Sequence, residues 1–132
     1  MSRVLILMGS ESDRERMEKA VPILGDAGVE TEVVVSSAHR DPDRTAELAR
    51  TAAERGFSVI ICGAGLSAAL PGVVAAHTKL PVIGVPLSAA LGGLDALLSI
   101  AQMPPGVPVA CVGIDNARNA AHLALRILGR TG

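Results

Sequence analysis

Two polar stretches of this chain hold the side chains that could do chemistry. Ser36-Ser37-Ala38-His39-Arg40-Asp41-Pro42 sets an imidazole beside a guanidinium directly after an apolar run. Gly9-Ser10-Glu11-Ser12-Asp13 follows another such run, Val4-Leu5-Ile6-Leu7-Met8. Hydroxyls and backbone N–H groups suit a phosphate, and a carboxylate such as Asp13 suits a sugar hydroxyl. Imidazole is the side chain whose ordinary titration lies nearest neutrality, which makes His39 the candidate proton carrier. Two runs that both empty into such groups imply one pocket at the carboxyl ends of parallel strands, where open α/β sheets bind ligands.

Each stretch also has a plainer reading. Ser and Asp are ordinary N-cap residues, so Gly9–Asp13 alone reads equally as a capped helix start. Gly63-Ala64-Gly65 lacks the spacing of a dinucleotide fingerprint or a P-loop and by itself indicates a tight turn with close backbone approach. His39-Arg40 is more telling, because an adjacent imidazole and guanidinium on a loop have no packing rationale. His77 and His122 fall in helical segments and read as surface or interface residues. Asp95 reads as a helix-start acid or as a contact between copies of the chain.

The elements that must position these groups follow from the apolar pattern. Five runs rich in β-branched residues, Val4–Met8, Thr31–Val35, Val59–Cys62, Val82–Val85 and Val109–Val112, alternate with five helix-like segments. Near-continuous apolarity predicts strands covered on both faces. Met17, Ala20, Val21, Leu24 and Ala27 recur at helical spacing, with Gly28 as the stop and Pro22 expected to kink or split the helix. Asp41-Pro42 predicts an N-cap with proline at the first helical position, and Leu48, Ala49 and Ala52 form that helix's inner stripe. A third helix is expected over about Ser67–Thr78, a fourth carries Leu94, Leu97, Leu98 and Ala101, and the last carries Ala120, Leu123, Ala124, Ile127 and Leu128. The order β-α repeated five times predicts an α/β fold, a parallel sheet with right-handed crossovers and helices on both faces.

Composition narrows the function. A chain of 132 residues reads as a single domain, and its net charge of -1 offers no basic field for nucleic acid. Phe57 is its one aromatic residue, which removes the stacking platforms of single-strand binders. Cys62 and Cys111 lie in strand-like runs and read as buried free thiols, not as a disulfide, metal site or nucleophile. Met1-Ser2-Arg3 leads straight into a strand and leaves no room for a signal peptide, so a soluble, cytoplasmic protein is expected. Charge is uneven: 19 of the Lys, Arg, Asp and Glu residues fall in the first 55 positions, whereas Lys79 and Asp95 alone are charged from Phe57 to Ile114. Gly and Pro interrupt that block too often for a membrane span. A small monomer could not hide so many uncharged residues, which predicts a homo-oligomer built on the middle of the chain.

Taken together, Met8-Gly9-Ser10-Glu11-Ser12-Asp13, Ser37-Ala38-His39-Arg40, Leu70-Pro71-Gly72, Pro81-Val82-Ile83-Gly84-Val85-Pro86 and Ser99-Ile100-Ala101-Gln102-Met103-Pro104-Pro105-Gly106 resemble the class I 5-(carboxyamino)imidazole ribonucleotide mutases of purine biosynthesis. The resemblance runs in order from Met8 to Leu128. It implies a flavodoxin-like three-layer αβα fold with a five-stranded parallel sheet, usually an octamer with active sites between subunits. It also implies a carboxyl shift from the exocyclic nitrogen to a ring carbon of the aminoimidazole, without metal, ATP or other cofactor. Position by position, Ser10, Ser12 and Asp13 would meet the ribose phosphate and ribose, Ser37 and Arg40 would help hold the phosphate, and His39 would be the general acid/base. Gly63, Ala64 and Gly65 would offer backbone contacts to the carboxylate or ring, with Ala69 and Leu70 in the same pocket. Arg40 and Leu70-Pro71-Gly72 favour class I over the related class II enzymes, which use free CO2. Ala69 stands where members usually carry His, so two other readings accompany the mutase: a carboxylase or decarboxylase of another heteroaromatic nucleotide, and a non-catalytic nucleotide-binding paralogue.

Overall fold

In a computed structural model that describes residues 2–130, five strands form one wholly parallel sheet in the order β2-β1-β3-β4-β5. The strands are β1 (Arg3–Met8), β2 (Glu30–Val35), β3 (Phe57–Ala64), β4 (Val82–Pro86) and β5 (Ala110–Cys111). Alternate residues of β1 face opposite layers, as the two-residue strand period requires. Val4, Ile6 and Met8 pack with Leu24 of α2 (Ala20–Asp26) and Ala120, Ala121 and Ala124 of α6 (Ala117–Ile127). Leu5 and Leu7 pack with Ala49 of α3 (Pro42–Thr51), Val74 of α4 (Leu70–Ala76) and Ile100 of α5 (Leu94–Ala101). This is the flavodoxin-like three-layer arrangement expected from the sequence, with no residue of β1 after Arg3 left exposed.

The chain departs from the simplest periodic reading where local chemistry intervenes. The first helical pattern divides into a single 3-10 turn (Glu11–Asp13), a short α1 (Arg14–Met17) and α2, with the break at Glu18-Lys19. Pro22 has no N–H to give the Glu18 carbonyl, which accepts from Val21 N at 3.0 Å instead. At the other end of α2, Gly28 takes a φ of +77°, and Gly28 N bonds Gly25 O while Val29 N bonds Leu24 O, both at 3.0 Å. That pair of bonds closes the helix in the manner that favours glycine at this position. The third expected helix, α4, starts at Leu70 instead of near Ser67, because Ser67 adopts left-handed backbone (φ 51°). The edge strand β5 pairs through only two residues, Ile83 with Ala110 and Gly84 with Cys111, so it is shorter than its apolar run. Cys62 is accordingly buried, but Cys111 is only half-buried on that edge.

Strands β1 and β2 wind to one side of the sheet and β3, β4 and β5 to the other. The reversal falls between β1 and β3, and it opens a crevice at their carboxyl ends. Among the described residues no helix is long and apolar enough to cross a membrane.

Candidate active site

A cleft of about 460 Å³ occupies that crevice, lined by the loops that follow β1, β2, β3 and β4. From the first loop come Gly9, Ser10, Ser12 and Asp13, with Arg16 of α1 behind them. Ser10 Oγ accepts from Ser12 N at 3.3 Å and shares a 2.9 Å hydrogen bond with Ser12 Oγ, leaving both residues exposed to the cleft. Asp13 is buried, and its carboxylate accepts from Arg16 Nη2 at 2.9 Å. A buried carboxylate left without such a partner would be costly to the fold.

The second loop supplies Ser37, Ala38, His39 and Arg40. Its conformation is set from below by two buried hydroxyls, Ser36 Oγ and Thr45 Oγ1, 2.7 Å apart. Thr45 Oγ1 also lies 3.2 Å from the Ser37 carbonyl and 3.0 Å from that of Asp41. Arg40 N then donates to Ser37 Oγ at 3.1 Å and closes the turn. Pro42 opens α3 as its spacing predicts, but the Asp41 side chain makes no cap bond; its carbonyl receives Thr45 N at 3.1 Å. His39 and Arg40 are exposed, and Arg40 is in no ion pair among the described residues.

The third loop brings Ala64, Gly65, Leu66, Ser67, Ala68, half-buried Ala69 and buried Leu70 to the cleft. Gly63, expected beside Ala64 and Gly65, does not line it. It lies within β3 facing α1, where an added Cβ would stand 2.3 Å from Met17 Sδ. Its glycine is a packing requirement of α1 on the sheet. Gly65 serves close approach instead: a Cβ there would stand 3.3 Å from the Leu87 carbonyl on the neighbouring loop. Ten of the eleven residues expected at the site thus converge on one cleft. Sequence reasoning missed Arg16, Ser88 and Asp115, which meet from α1 and two separate loops: Arg16 Nη1 lies 3.0 Å from Asp115 Oδ1, and Ser88 Oγ lies 2.6 Å from Asp115 Oδ2. The available signals were weak ones, an arginine three residues after Asp13 and an acid in the turn after the last strand. His77, at the C-cap of α4, and His122, within α6, are exposed and lie away from the cleft.

Chemically, the cleft pairs a hydroxyl-rich anion site (Ser10, Ser12, Ser37) with an unpaired guanidinium (Arg40) and an accessible imidazole (His39). Its far wall, Ala64, Gly65, Ala69 and Leu70, is uncharged and suits a flat ring. Those are the parts of a phosphosugar site joined to a proton-transfer site.

The AIR carboxylase family model matches residues 3–132. The chain belongs to that family. Members with similar sequences include the N5-carboxyaminoimidazole ribonucleotide mutase of Pyrococcus abyssi, 62% identical over 97% of this chain and 74% of its own length. That of Thermotoga maritima is 57% identical over 98% of this chain and 76% of its own length. Among solved structures, Treponema denticola PurE superposes with a TM-score of 0.84 at 31% identity, covering all of this chain and 83% of that one. A 3-dehydroquinate dehydratase-like protein from Bifidobacterium longum, at 15% identity and a TM-score of 0.60, shares the fold alone.

Proposed function

We propose that this AIR carboxylase family member interconverts 5-(carboxyamino)imidazole ribonucleotide and 4-carboxy-5-aminoimidazole ribonucleotide in purine biosynthesis. The observation that carries the reading is the single cleft in which the Ser10-Glu11-Ser12-Asp13 loop faces His39 and Arg40 across an uncharged wall. The names of the relatives, mutases at 57–62% identity, support it over the other nucleotide chemistries and over a non-catalytic binder.

In this reading Ser10, Ser12, Ser37 and Arg40 hold the phosphate, and Asp13 accepts from a ribose hydroxyl. The carbamate N–C bond breaks, the nitrogen takes up a proton, and CO2 is released against the wall formed by Ala64, Gly65, Ala69 and Leu70. The ring carbon then attacks the trapped CO2, and His39 removes the proton from that carbon to restore aromaticity. One proton is consumed and one released, so the reaction is balanced without a co-reactant. A single imidazole serves both directions because it can accept a proton and give it back. Apolar surroundings keep water from the CO2.

The same reading places the chain in the cytoplasm as a homo-oligomer, with the octamer of its family as the expected count. Five of the six exposed large apolar side chains, Leu66, Leu91, Leu94, Leu98 and Ile114, lie in the nearly charge-free block from Phe57 to Ile114. Leu66 is 72% exposed and lines the cleft, so a neighbouring copy seated there would close it over CO2. Light scattering is expected to show several times the 13.4 kDa chain mass; a monomer would contradict this part of the reading. The reaction itself is tested by incubating the protein with substrate labelled at the carbamate carbon, without ATP or metal. Label should appear in the ring carboxylate, and its absence would overturn the assignment.

A further inference from the structure

A network that reaches no reacting atom ties α1 and the loop after β4, which line the cleft, to the turn after β5, which does not. Asp115, in the turn after β5, sits in left-handed backbone (φ 59°), a conformation that Asp and Asn tolerate better than other side chains. Its N–H donates to Pro86 O at 2.7 Å. Its carboxylate accepts from Ser88 N at 2.8 Å, Ser88 Oγ at 2.6 Å and Arg16 Nη1 at 3.0 Å. Arg16 Nη1 also donates to Ser88 O at 3.1 Å, while Nη2 holds Asp13 at 2.9 Å. The guanidinium is therefore fixed from two sides, by the buried acid of the cleft and by a carboxylate 99 residues along the chain.

We infer that Arg16 and Asp115 form an ionic brace that positions Asp13 and the Ser88 loop for the ribonucleotide, an inference that rests on the mutase reading of the cleft. Without Asp115, Ser88 N and Oγ lose their acceptor, and Arg16 keeps only the pairing with Asp13, which solvent can compete for. Without Arg16, Asp13 is left buried and unpaired, and the β4–α5 loop loses its tie to α1. Both lesions release the same geometry, so they are not additive. Sugar and phosphate contacts stay the same while the ring reacts, so the loss falls on KM and spares kcat.

The test is a double-mutant cycle in the full chain, read as KM and kcat for 5-(carboxyamino)imidazole ribonucleotide. Arg16→Met and Asp115→Asn, the latter keeping a residue suited to left-handed backbone, are each expected to raise KM about tenfold with kcat within about threefold. The double variant should raise KM no further than the worse single change, and Arg16→Lys should recover part of the loss. An unchanged KM in either single variant, or a roughly hundredfold rise in the double variant, overturns the brace, since independent effects would multiply. If the wild-type chain binds the ribonucleotide but does not turn it over, the mutase reading fails separately, and the same cycle is read as dissociation constants for ribose 5-phosphate by calorimetry. The same non-additive pattern there supports the brace. A wild-type chain that binds neither ligand overturns both.

Discussion

Replacing Thr45 by valine should loosen the loop that carries His39, and the structure sets how much. Thr45 is fully buried, and among the described residues its hydroxyl is the one partner of the buried Ser36 hydroxyl, 2.7 Å away. Valine has nearly the same shape, so no cavity forms and the whole effect is polar. The Ser37 and Asp41 carbonyls keep Asp41 N at 2.9 Å and Thr45 N at 3.1 Å, so neither is orphaned. What remains is the net worth of the lost hydrogen bonds, about 1 kcal/mol, plus the cost of leaving Ser36 Oγ buried without a partner, about 1–3 kcal/mol. A loss of roughly 2–4 kcal/mol is therefore expected, read as a lower urea midpoint with unchanged slope at one fixed protomer concentration. Adding Ser36→Ala should restore part of it, because removing both partners costs less than stranding one. A loss below about 0.5 kcal/mol, the range of ordinary surface changes, or a double variant no better than the single one, would refute this account of the loop.

Three further outcomes follow from the same geometry. Arg40→Leu should weaken binding of the ribonucleotide about ten- to hundredfold while leaving the dephosphorylated nucleoside within about threefold, because only the phosphate offers it a charge-assisted bond; equal losses in titration calorimetry would place the phosphate elsewhere. Burial pulls the Asp115 carboxyl upward, but hydrogen bonds from Ser88 and the Arg16 charge outweigh it and hold the group below its ordinary value. A lowered carboxyl stabilises the fold above its unfolded pKa, about 3.9, and loses that contribution as pH falls through the lower folded value, so the stability gap between wild type and Asp115→Asn should be open at neutral pH and close below about pH 4. Gly63→Ala should destabilise by about 1–3 kcal/mol through its clash with buried Met17, with urea unfolding as the measurement.

What the sequence disclosed and what it hid divide along a physical line. Strand runs were legible because burial on both faces demands continuous apolarity, and Pro22 and Gly28 marked the ends of α2 through constraints that act within a few residues. The two polar loops were legible because hydroxyl, acid and imidazole residues stand together in the chain after a strand. Arg16, Ser88 and Asp115 were not, since their contacts span 72 and 99 positions and exist only once the sheet has brought the loops to one edge. Asp41-Pro42 was legible in the same local way: Asp41 is the N-cap residue of α3 and Pro42 opens the helix, although the Asp41 side chain makes no cap bond. Gly63 looked like part of a binding turn because nothing local shows that Met17 lies across it.

The central claim is that His39 moves the proton in a carboxyl shift within this cleft. Turnover of carbamate-labelled 5-(carboxyamino)imidazole ribonucleotide by the wild type and by His39→Asn tests it most directly, with ligand affinity measured alongside. The account predicts a fall of about 10²–10⁴ in rate with binding within a few-fold, the usual contribution of a general acid/base group. An asparagine variant that keeps more than about a tenth of the wild-type rate, well outside that range, would contradict it.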